Sequence, residues 1–354
     1  MAVILGFLLP ELTLLVVGTL LLILPRHRQL TRGADGIAVT ALILASCLEL
    51  GLIGPAWDHA GAIIDSNRTG TTNNHAFAAA IRWSLLAFGL LACGVRRNFD
   101  RSSGHDESDQ IGWLLFLLAG GLIATTADDL VLLLVAIEVA SLSSMMLLVT
   151  SAAIRFRTEL LLKLTLKNVV ATALMTLGAA ILIGLSGETN LQRIHDWMMS
   201  AGSQSAKPMT AVITRIVPIA SGLVFLGLAA RLAVPPCRAW VVDVEQAGSR
   251  WSRVTTLLIV RATALVACVR IMVTTLETQA ATMEVIAIVL AITALIVSIA
   301  MACREENLDR LMGCSAVATG GWLLAAMAVW LRMAANSQTP IAQMGDFLTG
   351  SETL

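Results

Sequence analysis

The sequence predicts an all-α fold: a polytopic transmembrane helical bundle of about ten spans with its N-terminus outside. Three observations predict it. Of 354 residues, 57% are hydrophobic and only 14% charged, where an ordinary soluble domain carries about 25% charge. Apolar stretches close to the ~20 residues that cross a bilayer as a helix recur along the whole chain. The connections between them are polar, and their basic residues alternate by side. A soluble helical bundle has no reason to show that recurrence. Net charge is zero, so neither a nucleic-acid partner nor an acidic substrate is implied. The implied surroundings are the lipid bilayer.

The spans are expected at residues 3–25, 36–54, 76–95, 111–127, 129–150, 159–185, 212–234, 254–274, 280–302 and 311–332. The first, in "MAVILGFLLPELTLLVVGTLLLILP", lacks a basic leader and a small-residue cleavage site. It reads as a retained span rather than a signal peptide. The third carries Arg82 and Trp83 near its outer edge, where both suit interfacial anchoring. Arg215 has the same reading in the seventh. Two connections, 55–75 and 186–211, are long enough to hold structure of their own. Asn67-Arg68-Thr69 in the first of these is a glycosylation sequon read as a chance match.

Charge sets the orientation. Loops after odd-numbered spans hold thirteen arginines: 26, 28, 32, 96, 97, 101, 155, 157, 238, 250, 253, 304 and 310. Loops after even-numbered spans hold Arg68, Arg193 and Lys207, with Arg332 at the edge of the last span. Basic loops stay on the cytoplasmic or matrix side. The same alternation supports the span count, since one missed span would scramble it.

Ionisable residues deep in a span cost at least ~2.5–3.5 kcal/mol each on insertion scales, so they mark function or a specific partner. Glu138 lies nine residues beyond Asp129 in "DDLVLLLVAIEVASLSSMMLL", or ~13 Å along a helix. It is a proton carrier or a packing carboxylic acid held neutral by desolvation. Lys163 and Lys167 share a face of the sixth span, four residues apart, with Asn168 beside them. Either lysine exchanges protons near neutral pH when held between desolvation and a carboxylate, or snorkels to the cytoplasmic interface. Arg261 sits inside "VTTLLIVRATALVAC". Arg231 ends the apolar run before Pro235 and Pro236. Proline removes a backbone donor, and the residue before it leaves the α region. The seventh span is therefore expected to break or end near Val234. A charge beside a broken helix suits an ion pathway, although a plain terminus at the surface has the same local sequence. Six cysteines stand singly, with no Cys/His cluster and no GxGxxG after a strand. Neither a metal site, a disulfide framework nor a nicotinamide fold is suggested.

These residues resemble a known family, the antiporter-like membrane subunits of respiratory complex I, and most closely its N type, called subunit 2 in mitochondria. "ELLLKLTLKNVVATALMTLGAAILIGLSGETNL" (159–191) is similar to the sixth helix and following loop of that subunit. "LLPEL" (8–12) resembles its start, "DDLVLLLVAIEVASL" its fifth helix, and "DRLMGCSAVATGGW" (309–322) the start of its tenth. "RLAVPPCRAWVVDVEQAG" (231–248) resembles the segment closing its broken seventh helix, with Trp240, Asp243, Val244 and Gln246 matching the N-type pattern.

The resemblance implies a membrane-arm subunit of a proton-pumping NADH–quinone oxidoreductase. It implies partners in the other membrane-arm subunits and a bacterial inner or mitochondrial inner membrane. It implies no cofactor on this chain, the redox chemistry belonging to partners. The implied proton pathway runs through Glu138, Lys163 and Lys167, biased by Arg231 and Arg261. It implies three regions: 1–110 with three helices, 111–275 as the first antiporter-like repeat, and 276–354 as part of a second. A separate chain is expected to supply the family's remaining C-terminal helices. The departures are specific. Arg231 and Arg261 stand where the family has lysines, and Arg238 and Thr319 where it has histidines. Arginine is never deprotonated under ordinary conditions, so a relay through Arg231 or Arg261 is in doubt. A degenerate assembly subunit, or a subunit of a related cation/proton antiporter or membrane-bound hydrogenase, is the alternative.

Overall fold

Each of the ten predicted spans falls on a helix in the computed structural model, which describes residues 9–23, 34–53, 72–99, 107–152, 154–203, 208–235, 241, 244, 249–274 and 279–336. The helices are α1 (Leu9–Ile23), α2 (Ala34–Ile53), α3 (Thr72–Phe99), α4 (Glu107–Thr126), α5 (Leu130–Ser151), α6 (Ile154–Ser186), α7 (Leu191–Ser203), α8 (Pro208–Arg231), α9 (Arg250–Thr274), α10 (Ala280–Ala302) and α11 (Leu308–Asn336). By length and composition, seven can cross a membrane: α3, α4, α5, α6, α9, α10 and α11. The other three predicted spans coincide with α1, α2 and α8. The additional helix, α7, lies in the long connection 186–211, as its length suggested. The sequon, the segment around Trp240, Asp243 and Gln246, Arg238, and the polar tail beyond 336 lie outside the described residues.

Local chemistry explains the helix ends. Asp129 caps α5 by accepting from the Val131 and Leu132 amides at 2.8 and 3.4 Å, which satisfies two otherwise orphaned donors. Thr189 donates to the other Asp129 oxygen at 2.6 Å. Backbone bonds join Leu130 to Thr189 and Leu191 to Asp128, both at 2.9 Å. The beginnings of α5 and α7 are thereby tied together. Gly187, at φ 71°, closes α6 and donates to Ile183 at 2.7 Å; that left-handed conformation favours glycine.

Two buried clusters organise the bundle. One gathers α1 to α4 and part of α9 around Leu14, Leu42, Leu86, Leu118 and Ile259. The other gathers α5 to α11 around Ile137, Met175, Phe225, Cys268, Met283 and Leu324. A smaller cluster with Leu148, Leu160, Ala233, Val244 and Val317 surrounds the end of α8. On the outside, Val285, Val289, Ile292, Ile296 and Ile299 of α10, and Leu162, Leu166, Val169 and Leu177 of α6, form exposed apolar faces. Hydrocarbon is their natural solvent.

The interfacial reading of Arg82 is corrected by the structure. Arg82 is 3% exposed. Glu49 takes two of its hydrogen bonds, at 2.5 and 2.7 Å, and Glu11 lies 2.8 Å from Nη1. The carboxylates come from α1 and α2, so sequence position alone gave no sign of their convergence. Arg215 is exposed. On the opposite side, Arg96 of α3 is buried with Asp35 at 3.1 Å and sits 5.4 Å over the Trp251 ring.

Candidate functional site at the break after α8

Close helix contact brings the site together. A β-carbon added at Gly178 would lie 2.5 Å from the Ala220 carbonyl oxygen; one added at Gly227 would lie 2.7 Å from that of Ala171. These reciprocal glycines let α6 and α8 approach backbone to backbone. Gly120 plays the same part between α4 and α5, against Ala136 and Ala140. Glu138 of α5, Thr172 of α6 and Arg231 of α8 meet where these helices converge.

The three side chains form a hydrogen-bonded triangle. Arg231 is 1% exposed and is ion-paired through Nη2 with Glu138 Oε1. The same Nη2 donates to Thr172 Oγ1 at 3.1 Å. The Thr172 hydroxyl donates in turn to Glu138 Oε1 at 2.6 Å. Glu138 keeps 28% side-chain exposure, so it can reach solvent or a neighbouring group. Arg231 Nε and Nη1 have no hydrogen-bond acceptor among the described residues. The pair thus uses one corner of the guanidinium.

Backbone geometry fixes that guanidinium beside a helix break. α8 ends at Arg231 itself, three residues before the expected Val234. Leu232 makes a tight turn by donating to Ala229 at 3.0 Å. Ala233 then takes φ 69°, a left-handed conformation costing about 1–2 kcal/mol for a residue with a β-carbon. Val234 and Pro235 carry the chain away. Gly320 of α11 covers the break: a β-carbon there would lie 2.3 Å from the Leu232 carbonyl oxygen. Next to Gly320, Thr319 Oγ1 accepts from Arg261 Nη1 at 3.3 Å. Arg231 and Arg261 therefore flank one junction of α8, α9 and α11.

The lysines lie earlier along α6. Lys163 pairs with Glu159 one turn away at 2.7 Å, with 43% side-chain exposure. Lys167 is half-buried and Asn168 is 5% exposed. The α6 residue that touches Glu138 is Thr172, nine residues from Lys163, or ~13 Å along the helix. Sequence reasoning missed Thr172. The available signal was its place four residues beyond Asn168, on the same helical face. Chemically, the set holds a carboxylate between a permanent cation and a hydroxyl. Arg231 supplies a fixed positive field and exchanges no proton.

Comparison with known proteins places this architecture. The chain is 26% identical over 349 residues to NADH-quinone oxidoreductase subunit N 1 of Solibacter usitatus, covering 97% of this chain and 66% of that one. It superimposes on a chain of respiratory complex I from Thermus thermophilus with TM-score 0.63 and 22% identity, covering 97% of this chain and 66% of that one. It also superimposes on a chain of the membrane-bound sulfane sulfur reductase, an archaeal respiratory membrane complex, with TM-score 0.70 and 18% identity over 94% and 68% of the two chains. These likenesses show the fold. The chain spans about half to two thirds of the length of the curated relatives it matches. The transmembrane family and its relatives identify a multi-pass membrane protein. The family model described as "NADH:quinone oxidoreductase/Mrp antiporter, TM" matches residues 127–344, most of the chain and all three residues of the Glu138 set, and the protein belongs to that family.

Proposed function

We propose that the chain is an N-type membrane-arm subunit of a proton-pumping NADH–quinone oxidoreductase, seated in a bacterial inner membrane beside other membrane subunits. The subunit N relatives support that reading. Its redox cofactors are assigned to partner chains, and further helices packing beside α10 and α11 to a partner or to a longer form of the chain. The three regions 1–110, 111–275 and 276–354 are proposed as its building blocks, the middle one carrying the pathway. Glu138, held by Arg231 and Thr172 at the break after α8, is the observation that carries the reading. When Glu138 takes a proton, its attraction to Arg231 falls and the guanidinium is released. When Arg231 returns, the ionised form is favoured and the proton leaves. Lys163 and Lys167 are assigned to the cytoplasmic approach, and Arg261 to the field beyond the break. The test is Glu138→Gln in the assembled complex. A fall in protons moved per electron is expected, with NADH oxidation retained; an unchanged ratio would reject the role.

The second reading is an assembly subunit whose channel has lapsed. The 43% exposure of Lys163 and its pairing with Glu159 favour it, as do the arginines at positions 231 and 261. Under that reading Glu138→Gln and Lys163→Ala leave pumping intact, while deletion of the chain prevents membrane-arm assembly.

A further inference from the structure

We propose that Glu11 is a resident proton-binding site, distinct from Glu138, in which a glutamic acid is held neutral inside the N-terminal bundle at neutral pH. The site comprises Glu11 of α1, Glu49 of α2 and Arg82 of α3, which are 1%, 4% and 3% exposed. Two carboxyl groups flank one guanidinium, leaving an excess of one negative charge in a buried place, where an uncompensated ion is strongly disfavoured.

Hydrogen bonding decides which carboxyl is the ion. Arg82 gives Nε and Nη2 to Glu49 in a bidentate fork at 2.5 and 2.7 Å, the geometry that best fits an ionised carboxylate. Its Nη1 donates to the Leu122 carbonyl and the Thr125 hydroxyl, both at 3.3 Å. Glu11 Oε1 lies 2.8 Å from that nitrogen, but neither Glu11 oxygen accepts a hydrogen bond among the described residues. An anion so placed has one charge contact and no well-aligned donor. A neutral acid has no such need, and its proton removes the excess charge.

Among the described residues, Arg270 and Asp128 lie beyond Thr125. Arg270 of α9 donates to the Thr125 carbonyl, and its Nη2 pairs with Asp128 at 2.5 Å. Asp128 is the carboxylate paired with Arg270. The Asp128 side chain is 81% exposed. Glu11, the end of α2, the start of α3 and the end of α4 all lie toward the side that the basic loops mark as outer. The outer face therefore supplies the proton.

Infrared spectroscopy of the full-length chain in lipid nanodiscs, with glutamates labelled by ¹³C at the side-chain carboxyl, tests this. The parent at neutral pH should show a protonated-carboxyl stretch that moves with the label. It should vanish in Glu11→Gln and survive in Glu138→Gln. In Glu49→Gln it should also vanish, because Glu11 then becomes the counterion of Arg82 and ionises. Glutamine mimics the neutral acid, so Glu11→Gln should accumulate and melt like the parent; failure to fold counts against the proposal. A parent spectrum with no Glu11-dependent band overturns it. So does a band seen only after sodium and potassium are withdrawn, since the neutralising species is then a metal cation.

Discussion

Among the described residues, Arg231 uses one nitrogen for both of its side-chain hydrogen bonds, to Glu138 and Thr172. A lysine ammonium can make the same two bonds, so Arg231→Lys should change stability by less than about 1 kcal/mol. Arg231→Met leaves Glu138 and Thr172 without their cation and should cost roughly 1–3 kcal/mol. Thermal unfolding of the two purified variants in one detergent checks the contrast; equal losses would mean that the whole guanidinium fork matters. Function is expected to separate the same variants. Lysine adds an exchangeable proton beside Glu138, where arginine holds its own permanently. On the proposed function, Arg231→Lys in the assembled complex should therefore pump at least as well as the parent, measured as protons per electron.

At the scale of elements, the end of α8 is held from outside. Gly320 leaves no room between α11 and the Leu232 carbonyl, and Gly178 and Gly227 leave none between α6 and α8. Overpacking at such places costs typically 1–3 kcal/mol. Gly320→Val should push α11 off the break, lower the melting temperature and separate Thr319 from Arg261. Gly184, which has nothing near its absent side chain, provides the control: Gly184→Ala should be neutral or slightly stabilising, through helix propensity. A Gly320→Val protein as stable as the parent would show that α11 is not docked there. These contacts also explain why α8 stops before Pro235 and Pro236. Pro235 restricts Val234, yet the tight turn at Leu232 and the left-handed Ala233 have already closed the helix.

At the scale of the whole molecule, orientation can be read from single cysteines. Cys303 is exposed in the short connection between α10 and α11, which the arginine distribution assigns to the cytoplasm. A membrane-impermeant maleimide should label Cys303 in inside-out vesicles and spare it in right-side-out ones. The reverse pattern would invert the topology. Exposed Cys47 lies within α2 and should react only with permeant reagents. Two clusters share α9, through Ile259 on one side and Cys268 on the other. That helix joins the N-terminal helices to the region carrying the Glu138 set.

Composition and the ~20-residue apolar period determined, from the chain alone, that this is a multi-spanning helical protein, because hydrocarbon leaves the backbone no partner but itself. The same cost made Glu138 and Arg231 visible, since a charge in a span demands a reason. Their pairing was chemically permitted by the sequence, but only the packed structure decided it. It brought α6 and α8 together through glycines 178 and 227, and α4 against α5 through Gly120. It also placed Thr172 in the set, a residue its place in the sequence had not singled out. Arg82 marks the limit most clearly. Its position at a span edge fits an interfacial anchor, whereas its burial between Glu11 and Glu49 depends on three helices meeting. Each helix's own periodicity is local, while compensation of a buried charge is a property of whatever lies across from it.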